Sequence, residues 1–196
     1  MKLKILGIDI YVSVAFCSII TLMLVIDRTG SIIPLLAGTA VHELGHLIAM
    51  RNQKNPVQKI MLVPAALLIV GGVTSSDKEE IKTVFAGPVA NIAVGGFFLL
   101  LFLAIEKETL LLYAVVQLAL AIFNLLPVKG LDGGTLLFIA LRRKMELSTA
   151  ELLVNIISFI FSTGLAILGT LLFVAGPQNP SLLICGIYLV ILTLIN

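Results

Sequence analysis

The sequence predicts an all-α polytopic membrane protein, with six transmembrane helices and a short re-entrant or strand-like segment near residues 60–73. Its composition is the first reason. Hydrophobic residues make up 59% of the 196 residues and charged residues only 12%, against roughly 45–50% and roughly 25% in soluble domains. The mean hydropathy is +1.14. Too few polar side chains remain to cover a water-exposed surface, which excludes a soluble enzyme and a nucleic-acid-binding domain.

Six apolar runs approach the roughly 20 residues that a membrane helix needs. They cover residues 8–26, 32–50, 84–105, 110–127, 152–175 and 181–196. The first run has a signal peptide as its alternative. It is long for the apolar part of a signal peptide, and no small-x-small cleavage site follows it, so we expect a retained helix.

The segment at residues 60–73 fits none of these spans. It is apolar but short, it contains Pro64, and it ends in Gly71-Gly72. An apolar run of this length is more typical of a re-entrant or interfacial segment than of a spanning helix, and its Ile, Val and Leu content also allows short strands. Non-helical backbone at membrane depth must lie against protein or a water-filled cavity, so the segment indicates a cavity.

The Lys and Arg residues are distributed unequally between alternate loops. With a cytoplasmic N-terminus and six alternating spans, eleven of the thirteen face the cytoplasm, as the positive-inside rule requires. We therefore expect both termini in the cytoplasm. The inner residues are Lys2, Lys4, Arg51, Lys54, Lys59, Lys78, Lys82, Lys129, Arg142, Arg143 and Lys144, and the outer ones are Arg28 and Lys107.

An HExxH motif lies in the second span, at His42-Glu43-Leu44-Gly45-His46. Residues four apart share one face of a helix, so both imidazoles can bind one metal ion, while Glu43 can take a proton from water. The chain has only two His residues, and ionisable groups within a membrane are usually functional. The alternative is a structural pair of His residues that bond neighbouring helices, with Glu43 paired to one of them.

A catalytic zinc site usually has three protein ligands, and no third His exists. Asp132 is the best-placed carboxylate, because it follows the inner end of the fourth span while His42 and His46 lie in the inner half of the second. Its alternative is an ordinary turn or helix N-cap residue. Asn124 is a candidate for binding the substrate backbone or the oxyanion, with a helix–helix hydrogen bond as the alternative. We expect Asn91 to be structural.

These motifs resemble those of the site-2 protease family of intramembrane zinc metalloproteases. The match rests on HELGH at 42–46, on Asn124-x-x-Pro127 followed by Leu131-Asp132-Gly133-Gly134, and on the family-like stretch Gly87-Pro88-x-x-Asn91. It is closest to the compact prokaryotic group that includes the sporulation pro-sigma-factor processing proteases.

The resemblance implies one zinc ion per chain, held by His42, His46 and Asp132, with Glu43 as the general base. It implies cleavage within or near a membrane segment of a membrane-associated protein, such as a transcription-factor precursor or an anti-sigma factor. We expect residues 1–196 to form a single membrane-embedded core without a PDZ or CBS domain, in the cytoplasmic membrane of a prokaryote. The expected partners are this substrate and the lipid bilayer, with no nucleic acid.

Two other classes of function remain open at this point. The first is a non-enzyme, either a non-catalytic binder of membrane helices or a metal transporter. Transporters usually repeat their broken or polar elements in two halves, and no repeat is visible in the sequence. The other is the type of membrane zinc protease that cuts prenylated C-termini. That type also uses HExxH but takes a downstream Glu as its ligand.

Overall fold

The computed structural model describes residues 2–5, 8–13, 18, 21–22, 24–25, 27, 30–53, 57–63, 66–71, 76–176 and 180–195. Within these residues, six helices and four strands have defined bounds. The helices are α1 (Ile32–Asn52), α2 (Asp77–Ile105), α3 (Glu108–Asn124), α4 (Asp132–Arg142), α5 (Leu147–Ala175) and α6 (Ser181–Ile195). The strands are β1 (Lys2–Ile5), β2 (Ile8–Val12), β3 (Val57–Val63) and β4 (Ala66–Gly71).

Three of the described helices are long and apolar enough to cross a membrane, namely α1, α2 and α5, of 21, 29 and 29 residues. Two further apolar helices, α3 and α6, have 17 and 15 residues, which is below the roughly 20 that a perpendicular span requires. The membrane character predicted from composition therefore agrees with the structure, while the count of six spans stays a prediction.

The expectation of an all-α fold is wrong in one respect, because the described residues include a four-stranded sheet in the order β1-β2-β3-β4. The pair β1–β2 is antiparallel, β2–β3 is parallel, and β3–β4 is antiparallel with an irregularity between Val57 and Lys59. Of the two forms expected near residues 60–73, strand is the one observed.

The predicted first span also needs correction. Its first residues, Ile8–Val12, form a strand, although we expected helix from residue 8 onward. An apolar run of five residues does not distinguish a buried helix from a strand, and this one alternates Ile-Asp-Ile before Tyr and Val, which is the period of a strand. Much of the remaining predicted span lies outside the described residues.

The chain divides into two compact units, Met1–Ile122 and Phe123–Asn196. In the first unit, α1 and α2 pack closely at Gly45. A Cβ at that position would overlap the Ala86 carbonyl oxygen and lie 2.9 Å from the Ala90 Cβ, so the contact depends on a missing side chain. Directly after the end of α1, the C-cap residue Gln53 accepts a hydrogen bond from the Thr83 hydroxyl of α2 at 3.0 Å.

In the second unit, α5 and α6 pack through glycines on both helices. A Cβ at Gly169 would lie 2.6 Å from the Leu183 Cα, and one at Gly186 would lie 2.6 Å from the Ala166 Cα. Small residues let membrane helices approach until their backbones touch, which is the main source of van der Waals contact where lipid surrounds them.

Candidate metal centre

Helix α1 brings the two His side chains of the HExxH motif together. The His42 and His46 rings meet edge to face with their centroids 4.7 Å apart, and their Nε2 atoms lie 3.1 Å from each other. His42 is buried, with 6% of its surface exposed. Glu43 is half-buried and follows His42 directly in the same turn. The prediction that both imidazoles share a face is thus confirmed by their geometry.

The other nitrogen of each ring faces an oxygen of α2. His46 Nδ1 lies 2.8 Å from the main-chain carbonyl oxygen of Thr83, and His42 Nδ1 lies 2.9 Å from Oδ1 of Asn91. A carbonyl oxygen only accepts hydrogen bonds, so His46 must donate from Nδ1. The same holds for His42 provided that the oxygen of Asn91, and not its amide nitrogen, faces the ring.

The main chain settles the orientation of the Asn91 amide. Its Nδ2 donates to the carbonyl oxygen of Gly38 at 3.0 Å, which an oxygen in the same place could not do. Oδ1 therefore faces His42, and His42 donates to it. In their neutral forms, both rings then carry the lone pair on Nε2, and the two lone pairs are directed toward one another.

This arrangement fits a bound zinc ion. Two imidazole nitrogens at about 2.0–2.1 Å from a tetrahedral zinc would lie about 3.3 Å apart, close to the observed 3.1 Å. Two Nε2 acceptors at that distance repel each other unless a cation lies between them. Their Nδ1–H bonds to oxygen are those that metal-binding His residues usually make, which fix the tautomer and the ring plane.

Gly87 of α2 lies against both rings. A Cβ at this position would overlap Nε2 of His46 and lie 2.7 Å from His46 Cε1 and 2.8 Å from His42 Cε1. The next residue, Pro88, is fully buried inside the same helix. The absence of a side chain at residue 87 therefore leaves the space that the two imidazoles use.

Asp132 belongs to the second unit, as the first residue of α4. The N-cap position of that helix is Leu131, so the alternative interpretation of Asp132 as the N-cap residue does not describe the helix start. Asp132 is half-buried. It is followed by Gly133, where a Cβ would overlap the Leu125 carbonyl oxygen, so the loop before α4 lies tightly against its first turn.

Two hydrogen bonds attach the same loop to α5. The backbone N–H of Lys129 donates to the hydroxyl of Ser158 at 2.8 Å, and its Nζ donates to Oδ1 of Asn155 at 3.2 Å. Asn124, the last residue of α3, is half-buried in this unit. The loop that leads into Asp132 is therefore held by α5 at Lys129.

Comparison with known proteins decides the family. The sequence profile of peptidase family M50 matches residues 30–108 and 104–165, which is more than half of the chain. The chain belongs to peptidase family M50. The motifs of this M50 protein predicted a resemblance to site-2 proteases, and the comparisons confirm it.

Two curated relatives and one solved structure are similar to the M50 protein. It is 29% identical over 157 residues to a zinc metalloprotease of Methanocaldococcus jannaschii, covering 72% of this chain and 45% of that protein. It is 27% identical over 142 residues to stage IV sporulation protein FB of Bacillus subtilis, covering 68% and 48%. The chain thus spans less than half the length of these relatives. Its fold matches the site-2 protease from Methanocaldococcus jannaschii with a TM-score of 0.72 at 21% identity, covering 98% of this chain and 93% of that one.

Sequence reasoning missed part of the centre of the M50 protein. Asn91 was expected to be structural, and it does join helices through Gly38, but its oxygen also accepts the hydrogen bond from His42. The main-chain carbonyl of Thr83, the partner of His46, has no signal in the sequence, because every residue type carries that group. A signal for Asn91 was present, because it lies four residues after Gly87 and therefore on the same face of α2.

Proposed function

We propose that this M50 protein is an intramembrane zinc metalloprotease that hydrolyses a peptide bond in or near a transmembrane segment of a membrane-associated protein. One observation carries the proposal: two imidazole Nε2 atoms face each other at 3.1 Å, on a helix that is long and apolar enough to cross a membrane. Placing ionisable groups in such a helix costs free energy, and the groups that do occur there usually have a function.

The proposed ligand set is His42, His46 and Asp132, binding one zinc ion per chain. Three protein ligands are usual at a catalytic zinc site, so that one position stays open. The chain has no third His, and a carboxylate oxygen is an established zinc ligand. Asp132 also follows the family-like Asn-x-x-Pro motif, and the loop that leads into it is held in place by hydrogen bonds from Lys129 to α5.

The proposed chemistry assigns one step to each polar group. Zinc, when bound, supplies a Lewis acid that lowers the pKa of water and polarises a carbonyl. Glu43 accepts a proton from the attacking water and then passes it to the nitrogen of the leaving amine. Asn124 has an amide able to bind the substrate backbone or the developing oxyanion.

The proposed substrate is a protein held in the lipid bilayer, such as a transcription-factor precursor or an anti-sigma factor. The protein would lie in the cytoplasmic membrane of a prokaryote with both termini inside, as the distribution of Lys and Arg indicates. Residues 1–196 would act as a single membrane-embedded core. Water would reach the site from the cytoplasmic side, since lipid supplies none.

The experiment compares the wild type with Glu43→Gln, co-expressed with candidate single-span membrane proteins. Gln has nearly the shape of Glu, so the variant should fold and retain zinc. Loss of general-base catalysis should slow cleavage about 10²–10⁴-fold. Glu151→Gln, an exposed residue near the start of α5, is the matched control and should change neither quantity.

Each outcome has a distinct meaning. Zinc loss in Glu43→Gln would make Glu43 a ligand, and undiminished cleavage would assign the base to another group. If purified wild-type protein bound zinc but left every candidate uncut, the non-catalytic alternatives would replace the proposal.

A further inference from the structure

Two uncharged amide side chains are buried in the first unit among apolar helices. Asn91 on α2 is 0% exposed and Gln117 on α3 is 1% exposed. Burying an amide away from water costs free energy unless its donors and acceptors are paired. The pairing that these two residues make therefore indicates what they do.

The Asn91 amide uses both of its hydrogens. One is donated to the Gly38 carbonyl oxygen at 3.0 Å and the other to Oε1 of Gln117 at 2.6 Å. A reversed amide would place the oxygen of Asn91 against two other oxygens at these distances. Asn91 is thus held in one orientation by α1 and α3 together, and in that orientation its oxygen faces His42.

The packing leaves room for Gln117 at this place. A Cβ at Gly95 of α2 would lie 3.2 Å from the Gln117 Cβ, which is tighter than ordinary contact. At Gly38 of α1, an added Cβ would come within 2.5 Å of Cδ1 of Leu120, also on α3, while the Gln117 amide carbon would lie at an ordinary 3.6 Å. Glycines of α1 and α2 therefore let α3 approach closely where Gln117 lies.

We propose that Gln117 is a positioning residue for the metal centre, acting through Asn91 to hold His42 with Nε2 toward the metal. The inference rests on the proposed role of His42 as a zinc ligand. Hydrogen bonds donated by an amide strengthen the acceptor oxygen of the same amide. Gln117 therefore orients Asn91 and strengthens the hydrogen bond from His42 Nδ1–H to Asn91, although Gln117 does not itself contact His42.

A purely structural role of Asn91 and Gln117 would require fewer hydrogen bonds than the structure contains. Bridging α1, α2 and α3 requires only the bonds of Asn91 to Gly38 and to Gln117. The bond from His42 adds a partner whose other nitrogen faces His46. Outer partners of metal-binding His residues typically change metal affinity by about 10–100-fold when they are removed.

The test measures zinc affinity by chelator competition, together with the d–d absorption of the cobalt-substituted protein and the Tm of the metal-free protein. Gln117→Met keeps the length of the side chain and removes the acceptor. This variant should weaken zinc binding about tenfold, the lower end of the range for loss of an outer hydrogen-bond partner of a metal ligand. It should also alter the cobalt spectrum. Asn91→Leu should weaken zinc binding more, by up to about 100-fold.

Two further variants separate positioning from helix packing. Gln117→Glu retains an acceptor oxygen at the same distance along the side chain and should restore most of the affinity and the cobalt spectrum. Thr193→Val removes another buried polar group, whose hydroxyl donates to the Leu189 carbonyl oxygen of its own helix, and should leave zinc affinity unchanged.

A lower Tm in Gln117→Met with unchanged zinc affinity and cobalt spectrum would overturn the inference and leave a packing role. The proposed function fails in a different way. It fails if the wild type binds no zinc, or if His42→Ala binds zinc as the wild type does, whatever the Gln117 variants show.

Discussion

Replacing Gly87 with Ala should remove zinc from the centre while the helices stay intact. The added Cβ would lie 2.7 Å from His46 Cε1 and 2.8 Å from His42 Cε1, whereas carbon atoms in contact lie about 3.5–4.0 Å apart. Each ring would then have to move by roughly 0.8 Å to reach ordinary contact. Metal–ligand distances tolerate changes of only about 0.2 Å.

The movement would also disturb the hydrogen bonds that orient the rings. His46 Nδ1 is 2.8 Å from the Thr83 oxygen and His42 Nδ1 is 2.9 Å from Asn91 Oδ1, so both are close to ideal length. Because two ligands and their outer partners shift together, zinc affinity should fall by at least about 100-fold, the upper end for loss of an outer partner alone.

The assay is zinc affinity by chelator competition in detergent, with helix content followed by circular dichroism. Gly96→Ala in the same helix is the matched control, since nothing lies within 4 Å of its added Cβ. It should bind zinc normally and gain about 0.5–1 kcal/mol of stability from the loss of a helical glycine. Wild-type zinc affinity in Gly87→Ala would show that the rings do not occupy the described positions.

Three other outcomes are expected. Asp132→Ala should lose zinc affinity and cleavage because a ligand is removed, whereas Glu80→Ala should keep both, and full zinc content in Asp132→Ala would exclude it as the third ligand. Reporter fusions at Lys54 and Lys107 should give opposite sidedness with Lys54 inside, and equal sidedness would contradict the six-span topology. A strong chelator should abolish cleavage and added zinc should restore it, and cleavage that persisted after verified zinc removal would exclude a metalloprotease.

The part of the centre that lies within one helix could be predicted from the sequence. A four-residue spacing determines which side chains share a helical face, so His42 and His46 were expected together. The partner of His42 could not be predicted in the same way, because it depends on how α1 and α2 pack. That packing is set by backbone contacts such as Gly45 against Ala86, which no periodicity reports.

The sheet marks a second limit of sequence reasoning. Ile8–Val12 is a strand because neighbouring strands β1 and β3 pair with it on both sides. The parallel partner lies about fifty residues later, with Asp9 opposite Lys59. Local composition contains no information about a partner so distant, and the apolar residues that follow made a continuous helix the simpler interpretation.

The two His residues differ in how directly a substitution can change their hydrogen-bond partner. His42 bonds to a side chain, that of Asn91, so one codon change at residue 91 can weaken, strengthen or remove its partner. His46 bonds to the main chain of Thr83, and every amino acid supplies that carbonyl. Variation among descendants or in a mutant library can therefore tune the His42 side of the centre in small steps. The oxygen that His46 bonds to is moved only by a shift of α2, although a side chain added at Gly87 would still displace the ring.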